Sequence, residues 1–534
     1  MGRGEGHVSA DAAADRPQPS VSRPLAGIER GWCRPRDTRV HCGPRGLRRE
    51  TMEPLRFPEN DLFKGWGEPM RTEVAIEGLE IIQGAIPEGL EGTLYRNGAD
   101  WQYPSKRNDD IFIDGEGMMH MFRFEGGQVS YRSRWVETAR YKKQKEAKRQ
   151  LFGRYRNRFT NDPEAGDTHM GTANTTAMFH AGHLYALKED DHPYEVDPDT
   201  LETIGRTDLN GQITSTSFTA HPKVDPITNE LLAFSYQARG DGSKDIVFYL
   251  FDEHGGKKNE IWFEMPYAAC VHDFAITDEW IVFPFFPLIH DEEHANAGGT
   301  FYRWCPDEET HVALVPRYGT AADIRWFKGP TTSAGHMLNA HRDGSKIHLD
   351  VVLYEGNCFP FFPTPTGEHV PGVPPFLTRM TMDLTRNDGG FDKQRLLNVP
   401  CEMPRTDDRY QGRPYRHGYM IAARSADGSS GTGHLDLATG AFESWSPGPG
   451  DSVQECQFVP RTPDSAEGDG WLLVPVARVA QGRSDLVVLD ALDLAAGPVA
   501  TIKLPVRVRS TFHGCWVPAE AQRTGRYDYA LSAA

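Results

Sequence analysis

Four histidines in this 534-residue chain stand in similar local settings although they are far apart. His221 lies in Thr219-Ala220-His221-Pro222, His272 in Val271-His272-Asp273-Phe274, His336 in Gly335-His336-Met337-Leu338, and His513 in Phe512-His513-Gly514-Cys515-Trp516. Each sits at the edge of a β-favouring run, with small or apolar neighbours. The glycine after His513 has no Cβ, so backbone or a ligand can approach closely there. Imidazole suits iron, zinc, copper and nickel, so four such residues brought together could hold a transition metal without naming which one. A set of four histidines without cysteine disfavours a structural zinc site, which usually relies on thiolates at short spacing. Taken singly, each reads first as a satisfied core histidine at a strand end, and among twenty histidines only context selects these four.

To meet, the four need a scaffold that returns repeatedly to one place. From Met52 onward the sequence is a succession of short apolar-alternating runs separated by turn residues. Examples are His120-Met121-Phe122-Arg123-Phe124, Ile246-Val247-Phe248-Tyr249-Leu250 and Trp471-Leu472-Leu473-Val474. Only Glu137 to Phe152 shows helical periodicity, so the fold class is all-β. One hairpin formula recurs, as Val196-Asp197-Pro198-Asp199-Thr200, Val224-Asp225-Pro226-Ile227-Thr228 and Leu435-Asp436-Leu437-Ala438-Thr439-Gly440. Repeated sheet units of this kind suit a β-propeller, whose blades can each direct a residue at the central axis. No strict period appears, and a multi-domain sandwich stays open on composition alone.

Composition narrows the function. Hydrophobic residues at 38% and aromatics at 10% provide for a sizeable core. A mean hydropathy of -0.55, with no apolar run near ~18 residues, predicts no stable membrane insertion. A formal net charge of -17 opposes a nucleic-acid partner. Eight scattered cysteines with no CxxC pattern predict free thiols and a cytoplasmic setting. Residues 1–51 hold ten arginines and no lysine, and read as a disordered extension with Met52 as the alternative start. Residues 52–534 are then expected to form one domain. The glycine-rich run Asp427 to Gly433 lacks the context of a phosphate loop and reads as a mobile loop.

The four histidine segments, in this order, resemble the iron-binding motifs of the carotenoid cleavage oxygenases, and the likeness runs from about Gly89 to Trp516. It implies a seven-bladed β-propeller with a cap of loops and short helices over an axial metal site. It also implies one Fe(2+) per polypeptide, held by His221, His272, His336 and His513. Family glutamates behind three of the ligands match Glu189, Glu402 and Glu455. Carboxylates there would fix the imidazole tautomers and balance the ion's charge.

Within the family, Leu151-Phe152-Gly153-Arg154-Tyr155-Arg156-Asn157 and Leu187-Lys188-Glu189-Asp190 resemble the bacterial branch that cleaves lignostilbene and isoeugenol. That likeness gives Tyr155 and Lys188 the task of holding the substrate's 4-hydroxyl, where an ammonium favours phenolate. Phe112 and Ile113 match the substrate pocket. Ile113 replaces an aromatic residue typical of the lignostilbene enzymes, which leaves a smaller phenylpropene open beside a two-ring stilbene. The implied activity is an Fe(II)-dependent dioxygenase that splits the exocyclic double bond of a small aromatic alkene, with O2 as co-substrate, into aromatic aldehydes. The alternatives are a carotenoid or apocarotenoid substrate, for which Phe283 to Pro287 and Phe359 to Pro363 could form an apolar patch, and a non-catalytic propeller scaffold.

Overall fold

In the computed structural model the short alternating runs form antiparallel strands that pair mostly with their sequence neighbours, as period-two patterns joined by tight turns dictate. The structure describes residues 55–422 and 428–529, which fall within one compact unit, Arg48–Ala534. The arginine-rich extension, residues 1–51, lies outside the described residues. Among the described residues are seven sheets of four or more strands and one two-stranded hairpin, Leu288–His290 with Tyr302–Trp304. The seven sheets are the blades of the β-propeller.

Four blades are plain meanders: 176–206, 223–264, 333–395 and 401–445. In a fifth, the strands Trp280–Phe285 and Thr310–Pro316 pair across an insertion that holds the small hairpin and the helix Glu292–Asn296. The remaining two blades close the ring. The last strand, Thr511–Pro518, pairs with Gly92–Asp100, and the early strand Glu80–Gly84 pairs with Pro498–Leu504. Early and late strands are thereby stitched into the sheet edges that an open ring would leave unpaired.

The recurring hairpin formula makes one turn in all three places. The carboxylates of Asp197, Asp225 and Asp436 accept backbone N–H bonds from the residues just beyond them. The fourth residue after each aspartate, Leu201, Asn229 or Gly440, takes a positive φ. Two of these turns join a third strand to a fourth, whereas the Asp225 turn joins a first strand to a second. The same turn at different points of the blade explains why no sequence period is visible.

Two expectations need correction. The helical stretch is shorter than the periodicity indicates: Ala139–Ala147, capped by the Thr138 hydroxyl and ended by Lys148 in the left-handed region. Within the run read as a mobile loop, Gly431 to Gly433 instead open the strand Gly431–Asp436, while Asp427 lies outside the described residues. The core sits between neighbouring blades. Its largest group joins Phe234 and Phe248 to Phe283, Phe285 and Val315, with Tyr155 and Phe362 added from the cap. No helix among the described residues is long and apolar enough to cross a membrane.

Gly514 is required for the closing strand to lie flat on its partner, because a Cβ at that position would overlap the Tyr95 carbonyl oxygen. Gly514→Ala is expected to destabilise the protein by about 1–3 kcal/mol and to displace the adjoining His513. Thermal unfolding together with metal content checks this, and an unchanged melting temperature would contradict it.

Candidate metal centre

Four blades each contribute one histidine. His221 just precedes the strand Lys223–Val224 and His272 precedes Ala275–Ile276, while His336 lies within Ser333–Asp343 and His513 within Thr511–Pro518. The other three blades supply the glutamates: Glu189 follows His183–Leu187, Glu402 lies in Cys401–Thr406, and Glu455 falls between Ser452–Val453 and Gln457–Pro460.

Irregular backbone aims them. Pairing register shifts between Ala334 and Met337, across His336. It shifts again between Glu402 and Arg405, where Met403 has a φ of 52°, and between Arg96 and Gly98, opposite Phe512 and His513. A regular strand sends side chains alternately to the two faces of its blade, whereas a bulge re-aims one of them.

The four histidines converge. One ligand nitrogen from each lies within 4.8 Å of all the others. The Nε2 atoms of His221 and His272 face each other at 3.1 Å, and the His513 ring centroid lies 4.5 Å from that of His221 and 4.7 Å from that of His336. His336 Nε2 is buried with no hydrogen-bond partner. Clustered lone pairs and an orphaned buried nitrogen suit a shared cation, and an all-imidazole donor set suits a first-row transition metal.

Protonation agrees with this. Burial, and then the neighbouring histidines, hold His221 well below its ordinary pKa. Burial, partly opposed by Glu455, pushes His513 down to about 4. Both are therefore neutral at pH 7, the form that ligates. Burial also acts to lower His336, but the Glu402 carboxylate outweighs it and the net direction is upward.

The glutamates differ in how they engage the rings. Glu402 Oε2 lies 2.8 Å from His336 Nδ1 and Glu455 Oε1 lies 2.8 Å from His513 Nδ1. Each such contact leaves Nε2 to face the cluster and fixes the tautomer. Glu189 Oε1 stands 3.5 Å from His272 Nδ1 and accepts the Tyr155 hydroxyl at 2.9 Å. Burial alone would raise the Glu455 carboxyl, yet His513, Arg405 and Arg96 hold it down to about 2.

Sequence reasoning missed several residues here. Asp273 is a carboxylate beside His221, 3.9 Å from its Nδ1, and it also pairs with Lys223 at 2.8 Å and accepts the Met337 N–H at 2.8 Å. Asp273 and Lys223 lie inside the histidine motifs, so their proximity in sequence was an available signal. Arg96, which donates to Glu455 at 3.0 Å with both partners buried, carries no such local mark.

The residues matched to phenol recognition lie beside Glu189. Lys188 is 3% exposed, its ammonium is 5.0 Å from the Tyr155 ring centroid, and its hydrogen bond is a long one, 3.5 Å to the Ile113 carbonyl. Burial, and then Glu189, keep the Tyr155 phenol well above its ordinary pKa. Phe112 is 44% exposed and meets Phe361 and Phe512 edge-on, while Ile113 packs against the core group that contains Tyr155. His272 also lines a small pocket together with Phe286, Leu288, Trp304, Met337 and Phe359 among others. Neither Tyr155 nor Lys188 lines it.

Known proteins resemble this chain in sequence and fold. The family model described as retinal pigment epithelial membrane protein matches residues 67–518. An isoeugenol monooxygenase from Pseudomonas nitroreducens is 41% identical over 84% of this chain and 96% of its own length. Lignostilbene-alpha,beta-dioxygenase isozyme III from Sphingomonas paucimobilis is 40% identical over 87% of this chain and 98% of its own. The crystal structure of Pseudomonas brassicacearum lignostilbene dioxygenase superposes with a TM-score of 0.84 at 43% identity, covering 87% of this chain and all of that one. The protein belongs to the retinal pigment epithelial membrane protein family, that of the carotenoid cleavage oxygenases, and is an oxygenase.

Proposed function

We propose that this protein is an Fe(2+)-dependent oxygenase that cleaves the exocyclic double bond of a phenolic phenylpropene or stilbene with O2, giving an aromatic aldehyde. His221, His272, His336 and His513 would hold the iron, with Glu189, Glu402 and Glu455 orienting three of them. When bound, Fe(2+) supplies the means of activating O2. The observation that carries the substrate class is Lys188, a buried ammonium whose hydrogen-bonding capacity is largely unspent.

Tyr155 and Lys188 make a complementary pair for a phenol oxygen. The Tyr155 proton is committed to Glu189, so the Tyr155 oxygen is left as an acceptor for the substrate O–H. Lys188 donates to the same substrate oxygen and favours negative charge on it. Charge built up there is conjugated through the ring to the alkene, which becomes more electron-rich. Tyr155 itself, held well above its ordinary pKa, stays protonated throughout. The relatives with high identity are named for isoeugenol and lignostilbene, which supports a small aromatic alkene as substrate. Ile113 in place of a ring favours the shorter phenylpropene.

The two Pro-broken aromatic runs speak against a carotenoid-type surface patch. Phe283, Phe285, Phe286 and Phe362 are buried, and Phe359 and Phe361 partly so. The six described cysteines are unpaired, which supports a reducing, cytoplasmic setting.

Lys188→Met is expected to lower turnover of the free phenol roughly a hundredfold or more with iron content unchanged, and unchanged turnover would remove Lys188 from substrate recognition. A 4-O-methyl analogue, which cannot donate to Tyr155 or become phenolate, is expected to react far more slowly than the free phenol, as product mass spectrometry would measure. Glu402→Ala should weaken metal binding about 10–100-fold in an equilibrium competition with a chelator. Glu402 is the better choice for this test because removing Glu455 would leave Arg96 buried without that carboxylate; an unaltered affinity would exclude Glu402 from orienting His336.

A further inference from the structure

The Ile111–Gly115 loop borders the phenol-binding pair and contains no regular strand or helix. It presents Phe112 and Ile113, and the Ile113 carbonyl is the group that receives Lys188 Nζ at 3.5 Å. The Asp114 carboxylate closes the loop by accepting the Ile111 N–H at 2.8 Å, but a local turn does not fix the loop relative to the metal centre.

Asn174 does. The residue is fully buried, and its Nδ2 donates to both the Ile113 and Gly115 carbonyls, at 2.9 and 2.7 Å. Its Oδ1 accepts the Thr175 hydroxyl at 3.0 Å, and the Thr175 carbonyl accepts the His513 N–H at 3.2 Å. One amide and one peptide unit thus bridge the acceptor of Lys188 to the strand that carries His513.

The segment bearing Asn174 is itself pinned. Asn97 Nδ2 donates to the Ala173 carbonyl at 2.8 Å, and the Gly117 N–H donates to the Thr172 carbonyl at 2.8 Å. A Cβ at Gly117 would overlap the Ala173 carbonyl oxygen. Ala173 is held at a φ of 48°, in the left-handed region that a non-glycine residue rarely adopts. Strain of this kind persists only where the surroundings over-determine it.

We infer that Asn174 is a positioning residue for phenol recognition. It holds the Ile113 carbonyl so that the Lys188 ammonium points at the substrate oxygen, and it keeps the Phe112–Ile113 wall in register with the His513 strand. This rests on Lys188 being the cation that binds the phenol. Asn174 acts through Lys188, and its removal costs the most where negative charge accumulates on the substrate oxygen.

The test is a double-mutant cycle. The kcat and KM for a free phenol and for its 4-O-methyl ether are measured in the wild type, Lys188→Met, Asn174→Ala and the double variant, with metal content and thermal unfolding for each. Asn174→Asp, which keeps the shape and the bond to Thr175, serves if the alanine variant folds poorly. The expected result is a phenol-to-ether selectivity lower by roughly tenfold, the worth of one hydrogen bond to a charged group. The loss should fall mainly on kcat with metal content retained, and no further loss of selectivity should appear in the Lys188→Met background. Unchanged selectivity, or an equal loss in both backgrounds, would overturn the inference, and so would loss of metal in the Asn174→Asp variant, which would mark the residue as purely structural. A wild type that turns over phenol and ether alike would overturn the Lys188 reading first, and the role of Asn174 with it.

Discussion

Four imidazoles are gathered at one point with their ring nitrogens crowded together, and much of this structure serves to hold them there. His221 Nε2 and His272 Nε2 stand 3.1 Å apart, close enough to share one cation. Rigidity comes from the ring. Each blade buries apolar residues against its neighbours, so that moving one inner strand outward would open the packing on both sides. The last strand, Thr511–Pro518, closes the first blade and delivers His513 at the same time. Ring closure and completion of the ligand set are therefore one event.

The second constraint is charge. Glu189, Glu402, Glu455 and Asp273 are carboxylates at the centre of a folded protein, and each such ion loses several kcal/mol of hydration on burial. Each has partners that compensate it. Arg96 donates to Glu455 and Lys223 to Asp273, whereas Glu402 relies on the Tyr354 hydroxyl, the Met403 N–H and His336. Glu189 has two partners, because its Oε1 accepts a hydrogen bond from the Tyr155 hydroxyl at 2.9 Å and faces His272 Nδ1 at 3.5 Å. One carboxylate oxygen therefore joins Tyr155 to the His272 ring, and charge placed at either end is felt at the other.

Much of this was legible in the residues. The alternation of short apolar runs announced an all-β protein, and the family resemblance of four histidine segments pointed to a propeller that brings those histidines together. What stayed hidden was of a different physical kind. The bulges that aim His336 and Glu402 arise from pairing between strands, which no local pattern encodes. Arg96 reaches Glu455 across 359 positions of sequence, and Asn174 reaches a loop 59 to 61 positions before it. Such contacts follow from the closure of the ring and not from neighbourhood in the sequence. Asp273 and Lys223 are the instructive middle case: they lie within the histidine motifs, yet their mutual ion pair becomes evident only when the first strands of two blades are set side by side.

The central claim, that seven blades converge to hold one iron with four histidine nitrogens, is tested most directly by iron analysis combined with X-ray absorption spectroscopy of the purified protein. The predicted result is one iron per polypeptide whose protein ligands scatter as imidazole nitrogens, with no sulfur shell and no carboxylate ligand from Glu189, Glu402 or Glu455. A sulfur contribution, a carboxylate-rich shell, or a protein that binds no stoichiometric iron when it is supplied would contradict it.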